Sequence, residues 1–300
     1  MQGLRNVQGK ETMSLDSLVS VFVSVAVFEM MAAVGLGVAV RDVAAVAGDK
    51  SLLARAVLAN YVCVPAATVI LLLLFAPHPM VAAGFLVLAV CPGAPYGPPL
   101  AVLAGGNAAL SVGLMTVLAV MSAVIAPASL SLLLPWIAGD GRLHIDMVRM
   151  MSTLILVQLV PLGAGLAVRH FRPGMADRML GPALKLGKLL NVAAIVLILA
   201  ADYSLLMEVR LKGLIGMLLL LMASLAAGWL LGGRGVESRK TFALTTSLRN
   251  VGVGLVIATD SFRGTPAVTA VLAYGLVGIL GSLMISWYWG RRPISSGVAM

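Results

Sequence analysis

Long apolar runs, each longer than the roughly 20 residues that cross a bilayer, organise the chain from residue 15 to residue 290. Short polar breaks divide them into nine: Leu15–Val40, Leu52–Pro77, Met80–Gly105, Ala108–Trp136, Met147–Phe171, Met179–Leu206, Leu211–Leu231, Arg239–Phe262 and Thr265–Trp289. The pattern predicts an all-α polytopic membrane protein with nine transmembrane helices. Residues 1–14 read as a polar N-terminal tail and 291–300 as a second tail. Everything between them is a single transmembrane domain, because no loop is long enough to fold by itself.

The third run is interrupted at its centre by Cys91-Pro92-Gly93-Ala94-Pro95-Tyr96-Gly97-Pro98-Pro99. Prolines remove backbone donors and push the residue before them out of helical geometry, so no ordinary helix passes through. A span that opens at mid-depth frees amides and carbonyls that lipid cannot satisfy, and such a break must face protein or water. The eighth run carries a second interruption, Thr245-Thr246-Ser247-Leu248-Arg249-Asn250-Val251-Gly252-Val253-Gly254. Each interrupted run is the middle member of a triplet, 52–136 and 210–290. The triplets begin an odd number of spans apart, so they cross the bilayer in opposite directions. An inverted repeat with broken helices at matching positions predicts a carrier that works by alternating access. The competing reading is that two unrelated spans are merely kinked.

Composition narrows this further. Hydrophobic residues make up 60% of the chain and charged residues 11%, as expected of a protein solvated by lipid. The net charge of +9 does not imply nucleic acid, since the basic residues lie between spans and not on one face. Of the 21 basic residues, 13 fall on one side of the predicted topology, 7 on the other, and Arg249 on neither. That bias predicts a cell-membrane protein with its N-terminus outside and its C-terminus cytoplasmic. Cys63 and Cys91 lie inside apolar runs, and His78, His144 and His170 lack ligand spacing, so no metal or cofactor is expected. No Ser/His/Asp, paired-carboxylate or Cys/His constellation indicates an enzyme.

The candidate substrate-binding residues are Tyr96, Gly97, Pro98, Arg249, Asn250 and Glu29. Pro98 and Pro99 suit the first turn of a half-helix over residues 98–104, whose positive dipole end would favour an anion. Gly93 and Gly97 leave room for close approach, and Tyr96 either packs or binds. Arg249 lies near mid-bilayer, where an unpaired arginine costs about 2.5–3.5 kcal/mol on insertion scales. It must face the interior, either clamping frayed carbonyls or serving as a fixed cation. Glu29 is the matching acid in the first span; it can pair with Arg249, carry a proton or sit in an aqueous cavity. Asn60, Asn107, Ser111 and Asn250 are the other polar side chains near these breaks, and Gly275, Gly278 and Gly281 suit close helix packing.

The motifs Cys91-Pro92-Gly93, Leu103-Ala104-Gly105-Gly106-Asn107-Ala108-Ala109-Leu110-Ser111-Val112 and Leu248-Arg249-Asn250-Val251-Gly252 resemble those of the bile acid:sodium symporter family. Asn60-Tyr61 with Pro65, and Met31–Gly37, fit the same pattern. The resemblance implies two crossing discontinuous helices, spans three and eight, in a core of residues 52–136 and 210–290. It also implies a panel of 15–40 and 147–206, and transport of organic anions, bile acids among them, with sodium bound behind the crossover. Nine spans look like the variant lacking the first helix of ten-helix members. The cation positions depart from the family. Its crossover glutamate and glutamine read Thr245 and Arg249, and its serine–asparagine pair reads Gly97-Pro98. Met115 replaces a threonine and Asn60 a glutamine, whereas Ser111 and Asn250 are kept. Asn60, Ser111 and Thr245 are thus remnants of a cation site. The reading is a secondary transporter of a small organic anion that is not strictly sodium-coupled: a uniporter, an exchanger or a proton-linked carrier through Glu29. The alternatives are a sodium-coupled organic anion symporter and a non-transporting membrane sensor or scaffold.

Overall fold

A computed structural model describes residues 2–138, 146–207 and 211–291. Arg142, His144, Arg210 and the tail beyond Arg291 lie outside the described residues, as do the side chains of Asp16 and Asp202. Every element among the described residues is helical, with no strand among them. Eight stretches are long and apolar enough to cross a membrane. The third predicted span is not one of them, because it is split in two.

The first helix, α1 (Gln2–Gly37), runs back through the polar tail, so helix and not coil precedes the first apolar run. A short helix absent from the sequence reading, α2 (Val40–Gly48), follows it and packs on α7. Asp49 then caps α3 (Lys50–Val57) by accepting the Leu52 N–H, which ends one helix and starts the next. Span two continues through a π-helical turn, Leu58–Cys63, into α4 (Val64–Phe75). After α5 (Pro79–Ala89), α6 (Gly97–Leu103) and α7 (Ala108–Ala138), span five repeats the device. There α8 (Met147–Leu154) passes through a π turn, Ile155–Leu159, into α9 (Val160–Phe171). Each π turn ends two residues before a proline, Pro65 or Pro161. The proline ring cannot donate and clashes with the carbonyl four residues back, and the widened turn accommodates it. The remaining helices are α10 (Pro173–Met207), α11 (Leu211–Leu231), α12 (Val236–Ser247), α13 (Val251–Ser261) and α14 (Pro266–Gly290).

Packing sorts these elements into two sets. α1 lies along α9 and α10, and it approaches α9 closely because a Cβ at Gly35 or Gly165 would meet the other helix's backbone. α11 packs on α12, and α14 on α5. The sets touch where α1 meets α13, where α10 meets α14, and where α8 and the π turn after it meet α7. Polarity and burial agree. The stretch Val236–Ser261 is the least apolar of the eight, yet 89% of its apolar window is buried, against 17% for Pro173–Ile198. A polar segment inside a bilayer has to be wrapped by protein, and this one is. Leu73, Leu74, Leu189 and Leu230 instead point outward, as side chains solvated by lipid do.

Candidate functional site

Both interruptions are real, and they touch. α5 ends at Ala89 and helix resumes at Gly97; α12 ends at Ser247 and α13 begins at Val251. Pro98 and Pro99 occupy the second and third positions of α6, so the half-helix starts one residue earlier than expected. The groups freed at one break are answered by the other, the accounting that backbone away from water demands. The Asn250 N–H donates to Cys91 O at 2.8 Å, and Asn250 Nδ2 donates to Gly93 O at 3.3 Å. Asn250 Oδ1 accepts the Val253 N–H at 3.2 Å and so caps α13. Gly93 holds φ at +87° with its Cα against the backbone of Ala119 on α7.

Arg249 ties the junction together from inside, with only 4% of its surface exposed. Its Nη1 donates to Ala89 O at 3.2 Å and its Nη2 to Thr246 O at 2.8 Å. Those carbonyls belong to the C-terminal ends of α5 and α12, where the helix dipoles are negative. Two helix ends, and not an acid, therefore balance the charge. Pairing with Glu29 is not made. That carboxylate faces Gly187 of α10, and both its oxygens are buried without a hydrogen-bond partner. Equal depth in the bilayer placed the two residues together on paper, but Glu29 sits between α1 and α10 and not at the crossing.

A cavity of about 50 Å³ opens beside the junction. Tyr96, Arg249 and Asn250 line it, facing Val23, Val27 and Met30 of α1 and Asn191 and Ala194 of α10. Gly97, Pro98 and Glu29 do not. The volume holds a few water molecules and nothing larger, at about 10–15 Å³ of such space for each.

A family model described as the sodium bile acid symporter family matches residues 24–209. The chain belongs to that family. The match takes in the first break and stops short of the second. The uncharacterized protein YbaS of Bacillus subtilis (strain 168) is 29% identical over 219 residues, 70% of either chain. The uncharacterized sodium-dependent transporter YocS of the same organism is 27% identical over 223 residues, 71% of this chain and 65% of that one. With its family and its eight candidate spans, this protein is a multi-pass membrane transporter.

The three residues expected as remnants of the family's cation site are neighbours of α12. Ser111 Oγ and Thr245 Oγ1 are 3.3 Å apart, and Thr245 donates to Thr241 O at 2.8 Å. Asn60 Nδ2 donates to Ala56 O at 3.0 Å and to Thr246 Oγ1 at 3.4 Å, while its Oδ1 has no partner. Gly97 packs against one of these hydroxyls, since a Cβ there would stand 3.7 Å from Ser111 Oγ. No Asp or Glu side chain hydrogen-bonds to Asn60, Ser111 or Thr245 among the described residues.

Two residues escaped the sequence reading. Lys240 reads in the sequence as charge at a span end, but it is 5% exposed and its Nζ donates to Ala104 O at 2.8 Å and Trp289 O at 3.2 Å. It closes the C-terminal ends of α6 and α14 with a cation. Gln158, buried in the second π turn, reaches across to Ala119 O and to Ser122 Oγ on α7. Its signal was available, since it is an amide at the centre of an apolar run.

Proposed function

We propose that this transporter carries a small organic anion by alternating access and does not strictly require sodium. The architecture behind the reading counts α5 and α6 as one span, which makes nine with the N-terminus outside and the C-terminus cytoplasmic. Residues 52–136 and 210–290 are inverted repeats that form the core, and 15–40 with 147–206 form the panel. The single observation that carries the proposal is the junction itself: the carbonyls of Ala89, Cys91 and Gly93 accept from Arg249 and Asn250 beside a cavity whose far wall is α1 and α10. Arg249 is the charged residue lining that cavity, and its Nε carries a donor with no partner. An anion fits that donor. At about 50 Å³ the cavity is closed to any organic acid, so binding requires α1 and α10 to draw away from α13 and α14. Tyr96, Gly97, Pro98 and Asn250 then complete the site, and Glu29, on the panel, is the group for proton linkage.

The guanidinium takes the position of a coupling cation. Helix C-terminal carbonyls are what such folds offer to sodium, and here Arg249 holds them. A hard cation needs several oxygens, usually with a carboxylate among them, and Thr245 supplies only a hydroxyl. Repulsion between Na⁺ and a guanidinium at ~4 Å is about 4 kcal/mol at an effective dielectric constant of 20. The description of YocS as a sodium-dependent transporter favours the alternative, a sodium symporter. One assay decides. Once a thermal-shift screen against organic acids has identified a binder, its uptake into proteoliposomes is measured with Na⁺ replaced by choline. Uptake is expected to stay within about twofold, under 0.5 kcal/mol; a strict sodium requirement overturns the proposal. Binding without flux identifies a sensor.

At one end of the bundle Arg149 of α8 donates to Asp260 of α13 at 3.0 Å, and Arg263 Nη1 donates to Ser17 Oγ of α1 at 3.1 Å. Both contacts join panel to core and must part when that side opens. Arg149 is exposed, and an exposed pair is worth no more than about 1 kcal/mol. Arg149→Gln is therefore expected to change the uptake rate by no more than about fivefold, measured as initial flux.

A further inference from the structure

We infer that a second site, separate from the crossing, binds a single-chain amphiphile with an anionic head. A cavity of about 590 Å³ lies between α4, α5, α11 and α14, at the end of the bundle where α4 joins α5 and α13 joins α14. It shares no lining residue with the cavity at the breaks. Its size falls within the roughly 300–1,000 Å³ of small-molecule sites. At the roughly 10–15 Å³ of such space that one water takes, it holds on the order of 40–60 water-sized groups, ample room for an acyl chain.

The lining dictates both ends of the occupant. Leu72, Val81, Phe85, Met217, Leu220 and Ala273 make an apolar wall deep in the bundle, and Gly216 leaves one position of the α11 side without a side chain. The mouth is cationic. Lys212, the charged residue of the lining, stands in the first turn of α11, and His78 stands opposite. His78 Nδ1 accepts the Met80 N–H at 3.3 Å, so the other ring nitrogen, Nε2, is the one that can donate. Within the slot, Thr269 is only 4% exposed and its Oγ1 has no hydrogen-bond partner. A buried hydroxyl left unsatisfied marks a place where something polar belongs, and it lines this cavity. A long-chain carboxylate answers every feature: its head binds Lys212, one oxygen reaches inward, and its tail fills the wall. Lipid headgroups and free fatty acids share that chemistry.

The test uses the full-length protein in phosphatidylcholine nanodiscs, with laurate as probe and dodecanol as its uncharged match, read by calorimetry. Laurate is expected to bind saturably at one site. Lys212→Gln weakens it about tenfold, the equivalent of 1.4 kcal/mol, and removes the preference over dodecanol, while Lys212→Arg keeps both. Gly216→Leu abolishes binding by filling the slot; Ala273→Leu serves the same purpose should that variant not fold. Tyr96→Ala, at the crossing, leaves laurate affinity unchanged, so this result stands or falls independently of the transport proposal. In discs containing lysophosphatidylglycerol, reduced laurate occupancy identifies a single-chain membrane lipid as the resident, and unchanged occupancy identifies the free acid. Non-saturable partitioning, or equal affinity in Lys212→Gln and Gly216→Leu, overturns the inference.

Discussion

Gly93→Ala is expected to lower the free energy of unfolding by about 2–6 kcal/mol and to abolish uptake. Two independent effects of about 1–3 kcal/mol each add at that position. The residue holds φ at +87°, which an L side chain rarely adopts. An added Cβ would also stand 2.7 Å from Ala119 N and 2.8 Å from Ala119 Cα and Cβ. Backbone cannot swing aside as a flexible side chain would. Ala119 is fixed besides, because its carbonyl accepts from Ser122 Oγ at 2.7 Å and from Gln158 Nε2. The break must therefore move away from α7, and in moving it withdraws the Gly93 carbonyl from Asn250. Gly97→Ala is the internal control. A Cβ at Gly97 makes an ordinary contact with Ser111 Oγ at 3.7 Å, and alanine at a helical position removes a penalty of up to about 1 kcal/mol. Thermal unfolding of the two purified variants separates them. If both melt with the wild type, the packing assigned to Gly93 is wrong.

Much of this geometry was legible because lipid makes the grammar strict. A run of apolar residues long enough to cross is almost always a crossing, and four closely spaced prolines inside one cannot be anything but an opening. The second break is harder to read. It contains no proline, and it showed itself only through a charge at mid-depth and the motif around Leu248-Arg249-Asn250. Proximity was the weak point. Glu29 and Arg249 lie at similar depth, yet depth fixes one coordinate of three, and the helix that carries one and the break that carries the other turn those side chains toward different neighbours. The same projection hid Lys240, whose place just inside its span looks like an interface in sequence and is a buried cap in space. The π turns were invisible for a different reason. Apolar periodicity does not distinguish them from α-helix over one turn, so only the prolines that follow, Pro65 and Pro161, gave a hint. α2 was passed over because a nine-residue helix between spans reads as a charged linker.

Arg249→Leu is expected to reduce uptake at least a hundredfold, a barrier increase of about 2.7 kcal/mol or more. The leucine fills some of the volume but leaves the carbonyls of Ala89 and Thr246 without their donors, at about 1–3 kcal/mol for each buried orphan. Arg249→Lys should recover part of the stability and little of the flux, since an ammonium cannot reproduce the planar fork that spans two helix ends. If the guanidinium does stand in for a coupling ion, the function it replaced should be recoverable. Thr245→Glu combined with Arg249→Gln installs the glutamate and glutamine that the family resemblance implies there and removes the fixed charge. The new carboxylate would lie beside Ser111 Oγ, now 3.3 Å from Thr245 Oγ1, and near Asn60, whose Nδ2 donates to the neighbouring Thr246 and whose Oδ1 is unpartnered. A buried carboxylate with nothing to balance it is destabilising, so sodium should raise the melting temperature of this double variant and leave the wild type unmoved. Its uptake should fall at least about tenfold, or 1.4 kcal/mol, when choline replaces sodium. A double variant that ignores sodium in both assays, or an Arg249→Leu protein that transports at the wild-type rate, would mean that Arg249 is an incidental clamp, and that coupling in this transporter is decided elsewhere.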